Sequence, residues 1–310
     1  MHRITLLAMQ FSKRNVLLLV FAGVVVMVTA WVVIFHRRPD APIDDRPRLA
    51  AGVVMRDVTF FSESLQREMP YRVFAPAEIR TGRLPVVYLL HGGGGNGFRD
   101  WSNYSNVAQF ASGGLLLVMP QGDYSYYTNA ALRPQDRYED YIVKDLAADV
   151  ARRFPVRNDR EGRALVGVSI GGFGAVTLAL KRPDRFAFAG ALSPAIDVPR
   201  RRFTWRRLDQ SRRFREIFGP DDTTGRRDDD PFVLVRSTDP AKAPYFYLTC
   251  GKSEGLLASN REFAASLDRY GFAHEFHAVP GAHDWNQWNG PLPALFDSIS
   301  SHLSPNKQRE

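Results

Sequence analysis

Cysteine is nearly absent from this chain: Cys250 stands alone among 310 residues, so no intrachain disulfide can form. That scarcity says little about compartment, because many exported proteins lack disulfides. No internal repeat, no set of residues at metal-ligand spacing and no recognised nucleic-acid module is present. Solenoid architecture, a metal or other cofactor requirement and nucleic-acid binding therefore gain no support. Hydrophobic residues make up 45% and charged residues 24%, ordinary globular values that exclude a disordered or collagen-like chain.

Charge is missing altogether from residues 16–35, VLLLVFAGVVVMVTAWVVIF. As a helix these twenty residues rise about 30 Å, the thickness of a bilayer core. Lys13 and Arg14 precede the run and Arg37 and Arg38 follow it. We expect a basic segment over 1–15, a transmembrane signal-anchor helix over 16–35 and a Pro-containing linker over 36–52. A folded domain over 53–303 and a polar tail over 304–310 complete the division. Val28-Thr29-Ala30 also resembles a signal-peptide cleavage site, which would make the domain secreted, and a buried soluble helix is a third reading. Arg3, Lys13 and Arg14 with the amino terminus slightly outweigh Arg37 and Arg38, so we expect the domain on the extracytoplasmic side of the membrane.

The formal charge of +8 is partly the anchor flanks and partly an arginine cluster at 200–215, followed by Asp221, Asp222, Asp228, Asp229 and Asp230. Such runs ordinarily form solvated, internally paired surface; lipid head groups or an anionic substrate are the other reading.

From Val53 the pattern changes. Val53 to Phe61 and Arg67 to Ala75, around Ser62-Glu63-Ser64, predict an antiparallel hairpin. Pro85 to Leu90, Leu115 to Met119, Ala164 to Val168, Phe188 to Leu192 and Tyr245 to Thr249 are short apolar runs of the kind buried on both faces of a parallel sheet. Stretches of helical period at 140–153, 172–181, 259–270 and 293–303 alternate with them. This rhythm predicts an α/β fold with a doubly wound, mostly parallel sheet. Thr204 to Asp239 fits poorly and reads as a variable excursion.

Gly167-Val168-Ser169-Ile170-Gly171 is a G-x-S-x-G pattern between a buried strand and a helix. Its physical sense is a strained turn that lifts a serine hydroxyl above the sheet at a helix N-terminus, with glycines where side chains would strike backbone. A glycine-rich packing turn is the bland alternative. A serine nucleophile needs a base, and the base an orienting acid. His283, in a loop after the strand-like Glu275 to Val279, is the candidate base; His274, His277 and His302 sit in or beside regular elements. Glu254 is the only carboxylate in the loop after Tyr245 to Cys250, with Asp239 and Asp284 as distant substitutes. Glutamate reaches one methylene further than aspartate, so the backbone there must stand back. His91-Gly92-Gly93-Gly94-Gly95-Asn96 follows a buried strand and can supply an oxyanion-hole amide at Gly93, the other coming from Ile170. A phosphate-cradling loop is the alternative, but the P-loop lysine and hydroxyl are missing. Trp101, Trp285 and Trp288 are either pocket or core.

With these residues in place, the stretch from about Val53 to Leu303 resembles the esterase family of α/β hydrolases that includes esterase D (S-formylglutathione hydrolase), feruloyl esterases and the secreted mycolyltransferases. YLLHGGGGN with Asp100-Trp101, GVSIGGFGA, the Arg182 to Phe186 stretch leading to Leu192-Ser193, CGKSEGLLASNREF and GAHDW carry the likeness, in the expected order. The resemblance implies an α/β-hydrolase fold and assigns Ser169, Glu254 and His283 to a catalytic triad, with Gly93 and Ile170 as oxyanion donors. Most members carry aspartate at the position of Glu254. The implied activity is hydrolysis of a small-molecule, lipid or sugar ester or thioester, without a cofactor. An acyltransferase using a sugar or lipid hydroxyl, and a catalytically idle membrane-tethered binding protein, are the rival readings.

Overall fold

In the computed structural model, residues 45–79, 82–221 and 223–303 are described. The basic segment, the apolar run 16–35, most of the expected linker and the tail 304–310 lie outside them. Among the described residues, no helix is long and apolar enough to cross a membrane.

Eight strands form one sheet: β1 Val53–Ser62, β2 Arg67–Pro76, β3 Val86–Leu90, β4 Leu116–Pro120, β5 Arg163–Val168, β6 Phe188–Leu192, β7 Tyr245–Gly251 and β8 His274–Val279. Their spatial order is β1-β2-β4-β3-β5-β6-β7-β8. β1 and β2 form the expected antiparallel hairpin, β2 pairs antiparallel with β4, and every other pairing is parallel. The α/β-hydrolase-like, mostly parallel sheet thus follows the expectation. The apolar runs are strands because side chains alternate between two covered faces. Val86, Tyr88 and Leu90 point into one core cluster and Val87 and Leu89 into the other. Helices 138–153, Ile170–Lys181 and Leu257–Arg269 cover the first face; Leu292–His302 covers the second.

One boundary needs correction. Asp45 to Gly52, read as linker, is tied to the domain: the buried Arg72 of β2 is held between Asp45 and Asp57, and the Arg48 N–H donates to the Ser102 carbonyl at 2.7 Å. A buried guanidinium needs anionic partners, and Asp45 is one of the two that supply them. The 204–239 excursion is substantially helical, with Leu208–Phe218, Thr224–Asp228 and Pro231–Ser237. Gly219, at φ +87°, ends the first helix, and Asp230 accepts from the Phe232 N–H to cap the third, which has proline at its first position.

Candidate active site

Parallel strands deliver all their C-terminal ends to one edge of the sheet, and the loops there carry Gly93, Ser169, Glu254 and His283. Ser169 follows β5 directly, at φ +56° and ψ −115°, a strained conformation for a residue with a side chain. Backbone hydrogen bonds over-determine it: its N–H donates to the Leu192 carbonyl at 2.9 Å, and its carbonyl accepts from Phe173 and Ala195. The flanking glycines are required by crowding. A Cβ on Gly167 would sit 2.1 Å from the Gly171 carbonyl oxygen, and one on Gly171 would sit 2.2 Å from that of Leu90. Helix Ile170–Lys181 starts at once, two residues earlier than its periodicity suggested, so the Ile170 N–H has no carbonyl four residues back to accept it.

β7 and β8 are parallel neighbours, which brings the loops after them together. The Lys252 N–H donates to the Val279 carbonyl and the Ser253 N–H to that of Gly281. Glu254 Oε2 lies 2.7 Å from His283 Nδ1, and His283 Nε2 lies 2.9 Å from Ser169 Oγ. An ionised carboxylate can only accept, so Nδ1 carries the proton and Nε2 presents its lone pair to the serine hydroxyl. Burial works to raise the Glu254 pKa, but hydrogen bonds from His283, Ser193 and the Gly251 N–H outweigh it and hold the carboxyl below its ordinary range. The extra methylene of glutamate is accommodated at Gly251. Its N–H donates to Oε1 at 2.8 Å, and a Cβ there would lie 2.5 Å from that same oxygen.

Sequence reasoning gave no role to Ser193, which follows β6 at φ +48° and is fully buried. Its hydroxyl donates to Glu254 Oε1 at 2.5 Å and accepts from Trp288 Nε1 at 3.1 Å. Trp288 in turn packs edge-on against the His283 ring, centroids 5.0 Å apart. The signal available was positional: Ser193 ends the strand between those that carry Ser169 and Glu254.

The glycine loop after β3 is fixed by His91. Its buried ring accepts from the Gly122 N–H at Nε2 (2.8 Å), so Nδ1–H donates to the Gly92 carbonyl (2.7 Å). Burial lowers its pKa, which keeps that tautomer neutral. Gly92, Gly93 and Gly94 line a cleft of about 410 Å³ with Ser169, Ile170, His283, Asp100, Tyr124, Trp285 and Trp288 among its walls. Gly93 and Ile170 therefore share the cleft with the serine hydroxyl. Tyr124 lies so close to Gly93 that a Cβ there would meet its ring at 2.6 Å. Asp100 is 3% exposed, and burial pushes its carboxyl up to about 7, opposed only by a backbone hydrogen bond from Asn96.

The remaining candidates have other partners, although Asp284 also lines the cleft. Asp284 caps helix Trp285–Asn289 by accepting from the Asn286 and Gln287 N–H groups, and Asp239 accepts from the Ala241 N–H. His277 pairs with Glu275, His274 bonds the Phe272 carbonyl, and His302 stacks on Tyr245. Trp101 is core, its indole N–H on the Leu90 carbonyl, whereas Trp285 and Trp288 form cleft wall. Among the described residues, no group of three or more His, Cys, Asp or Glu side chains could hold a metal ion.

Against known proteins, the model of the family described as "Putative esterase" matches residues 62–298. An acetyl esterase of Caldicellulosiruptor saccharolyticus is 24% identical over 80% of this chain and 98% of its own length. An esterase of Mycobacterium tuberculosis (strain ATCC 25618 / H37Rv) is 30% identical over 75% of this chain, a match that spans 56% of that protein. Among solved structures, an S-formylglutathione hydrolase from Agrobacterium tumefaciens superposes with a TM-score of 0.72 at 22% identity. It covers 84% of this chain and 99% of its own.

Proposed function

The chain belongs to the "Putative esterase" family and is a serine carboxylic ester hydrolase; from that premise we propose that it works through an acyl-enzyme on Ser169, with His283 as base and Glu254 as its orienting acid. The observation that carries this reading is the unbroken line from Glu254 through His283 to Ser169, at 2.7 and 2.9 Å. Ser169 Oγ attacks the carbonyl carbon of an ester or thioester as its proton passes to His283 Nε2. The Gly93 and Ile170 N–H groups stabilise the tetrahedral oxyanion; in comparable sites one such donor is worth about 3 kcal/mol. His283 then protonates the departing alcohol or thiol. Water, giving a proton to the same nitrogen, attacks the acyl carbon; His283 returns that proton to Ser169 Oγ as the acid leaves.

Ser169→Ala is expected to abolish hydrolysis of a short p-nitrophenyl ester while leaving thermal unfolding nearly unchanged; wild-type turnover in that variant would refute the proposal. If candidate alcohols yield more ester than free acid by mass spectrometry, the acyl group is resolved by transfer instead of by water.

We further propose that residues 16–35 anchor the enzyme in a membrane with the catalytic domain outside the cytoplasm. The support is the charge-free run of bilayer length and the basic residues before it. In intact spheroplasts a C-terminal tag should be digested by added protease; protection of that tag would overturn the orientation.

A further inference from the structure

The arginine cluster divides in two. Arg200 pairs with Asp230 and Glu262, and Arg201 with Asp197. Arg206, Arg207, Arg212, Arg213 and Arg215 are exposed and form no ion pair with a described carboxylate, although Asp209 and Glu216 lie in helix Leu208–Phe218 with the last three. Helix Leu208–Phe218 buries Ser211, Phe214, Ile217 and Phe218 and turns its arginines outward. It is seated firmly: Phe218 packs edge-on against Tyr126 and against Phe173, which lies in the helix that follows Ser169.

Just before this helix stands an anomaly. Trp205 is 80% exposed, the most exposed large apolar side chain among the described residues, and Phe203, itself 37% exposed, packs edge-on against it at 5.0 Å. Two aromatic rings in water beside unpaired guanidinium groups match what an anionic lipid surface recognises: arginines meet the phosphates, and an indole seats at the head-group level. The surface adjoins the cleft, because the Arg213 guanidinium lies 4.4 Å over the Tyr124 ring and Tyr124 lines the Ser169 cleft.

We propose that Phe203, Trp205 and the outward arginines of 206–215 form a docking face for an anionic lipid surface, which holds the mouth of the Ser169 cleft beside that surface. An acidic protein, which arginine and tryptophan would also suit, is the other occupant, and a 205 label that reads water in anionic discs would point to it. This face is separate from the proposed anchor, and its test does not depend on it.

The full chain, with an environment-sensitive fluorophore on Trp205→Cys, is to be reconstituted with nanodiscs of phosphatidylcholine alone or with about 30% phosphatidylglycerol. Cys250 is buried and stays unlabelled. A second label on Asp268→Cys, a side chain 79% exposed beside the start of β8 and so at the opposite edge of the sheet, serves as the reference. The 205 label is expected to shift to the blue only in the anionic discs, and the 268 label in neither. Arg206→Gln/Arg207→Gln/Arg212→Gln should reduce the shifted fraction at least about tenfold, with hydrolysis of a soluble ester unchanged. A 205 label that reads water in anionic discs, or shifts equally in both lipids, overturns the proposal. A chain that elutes apart from phosphatidylcholine discs refutes the anchor alone, since the 205 label in the presence of anionic discs still decides the docking face.

Discussion

Three polar groups meet at the Ser193 hydroxyl, although no reacting atom touches it: Glu254 Oε1, Trp288 Nε1 and, at 3.2 Å, Gln287 Oε1. A hydrogen bond to a buried charge is worth roughly 1.5–3 kcal/mol. Ser193→Ala should therefore lower kcat about tenfold or more with KM little changed, because the Glu254 carboxylate and the indole on which His283 packs both lose their common partner. Steady-state kinetics on one ester reads this, and an unaltered kcat would leave Ser193 a packing residue. Asp100 supplies a second prediction. Its carboxyl is pushed from 3.8 up to about 7 by burial, so between those values the folded protein holds a proton that the unfolded chain releases. The stability this confers is complete below about pH 4 and lost as the pH rises through 7. Asp100→Asn should thus gain on the wild type by on the order of 2 kcal/mol between pH 5 and pH 8 in denaturant unfolding. A difference that stays constant with pH would contradict it. Neither residue was assigned a role from sequence: the partners of Ser193 lie in distant loops, and the burial that shifts Asp100 arises only in the folded chain, so neither leaves a local pattern.

At the scale of elements, the turn around Ser169 was legible because its chemistry is local. Close backbone approach demands glycine on both sides, and strand and helix follow without an intervening loop. Gly171→Ala, with its Cβ 2.2 Å from a β3 carbonyl, should cost at least about 3 kcal/mol, since backbone on both sides has nowhere to move. Gly255→Ala meets nothing within 4 Å and should leave the unfolding midpoint nearly unchanged. Denaturant titration of the two variants compares them directly. Strands β3 to β7 were equally legible, for burial on both faces leaves short, nearly unbroken apolar runs. Helix Leu208–Phe218 was not. Its buried stripe of Ser211, Phe214, Ile217 and Phe218 is interrupted by arginines that dominate the composition, so the helical period was hidden. Residues 45–52 misled for a related reason. Proline and mixed charge read as linker, while the structure uses Asp45 to neutralise Arg72.

At the scale of the whole molecule, the site exists only because parallel strands bring residues far apart in sequence to one edge. The turns and loops after β3, β5, β6, β7 and β8 carry Gly93, Ser169, Ser193, Glu254 and His283 in that order. The order of these strands along the chain could be read beforehand, and with it the order of serine, acid and base. The shape of the cleft could not, since Tyr124, Asp100 and Trp285 reach it from three separate loops and short helices. The proposed docking face concerns where this assembly sits; the proposed chemistry depends on the Ser169 hydroxyl alone. Whether Ser169 is the nucleophile is decided by treating the full chain with a fluorophosphonate and mapping the adduct by peptide mass spectrometry. One adduct is expected, on Ser169, forming far more slowly in His283→Ala; an unlabelled Ser169 in a preparation that still hydrolyses esters would overturn the assignment.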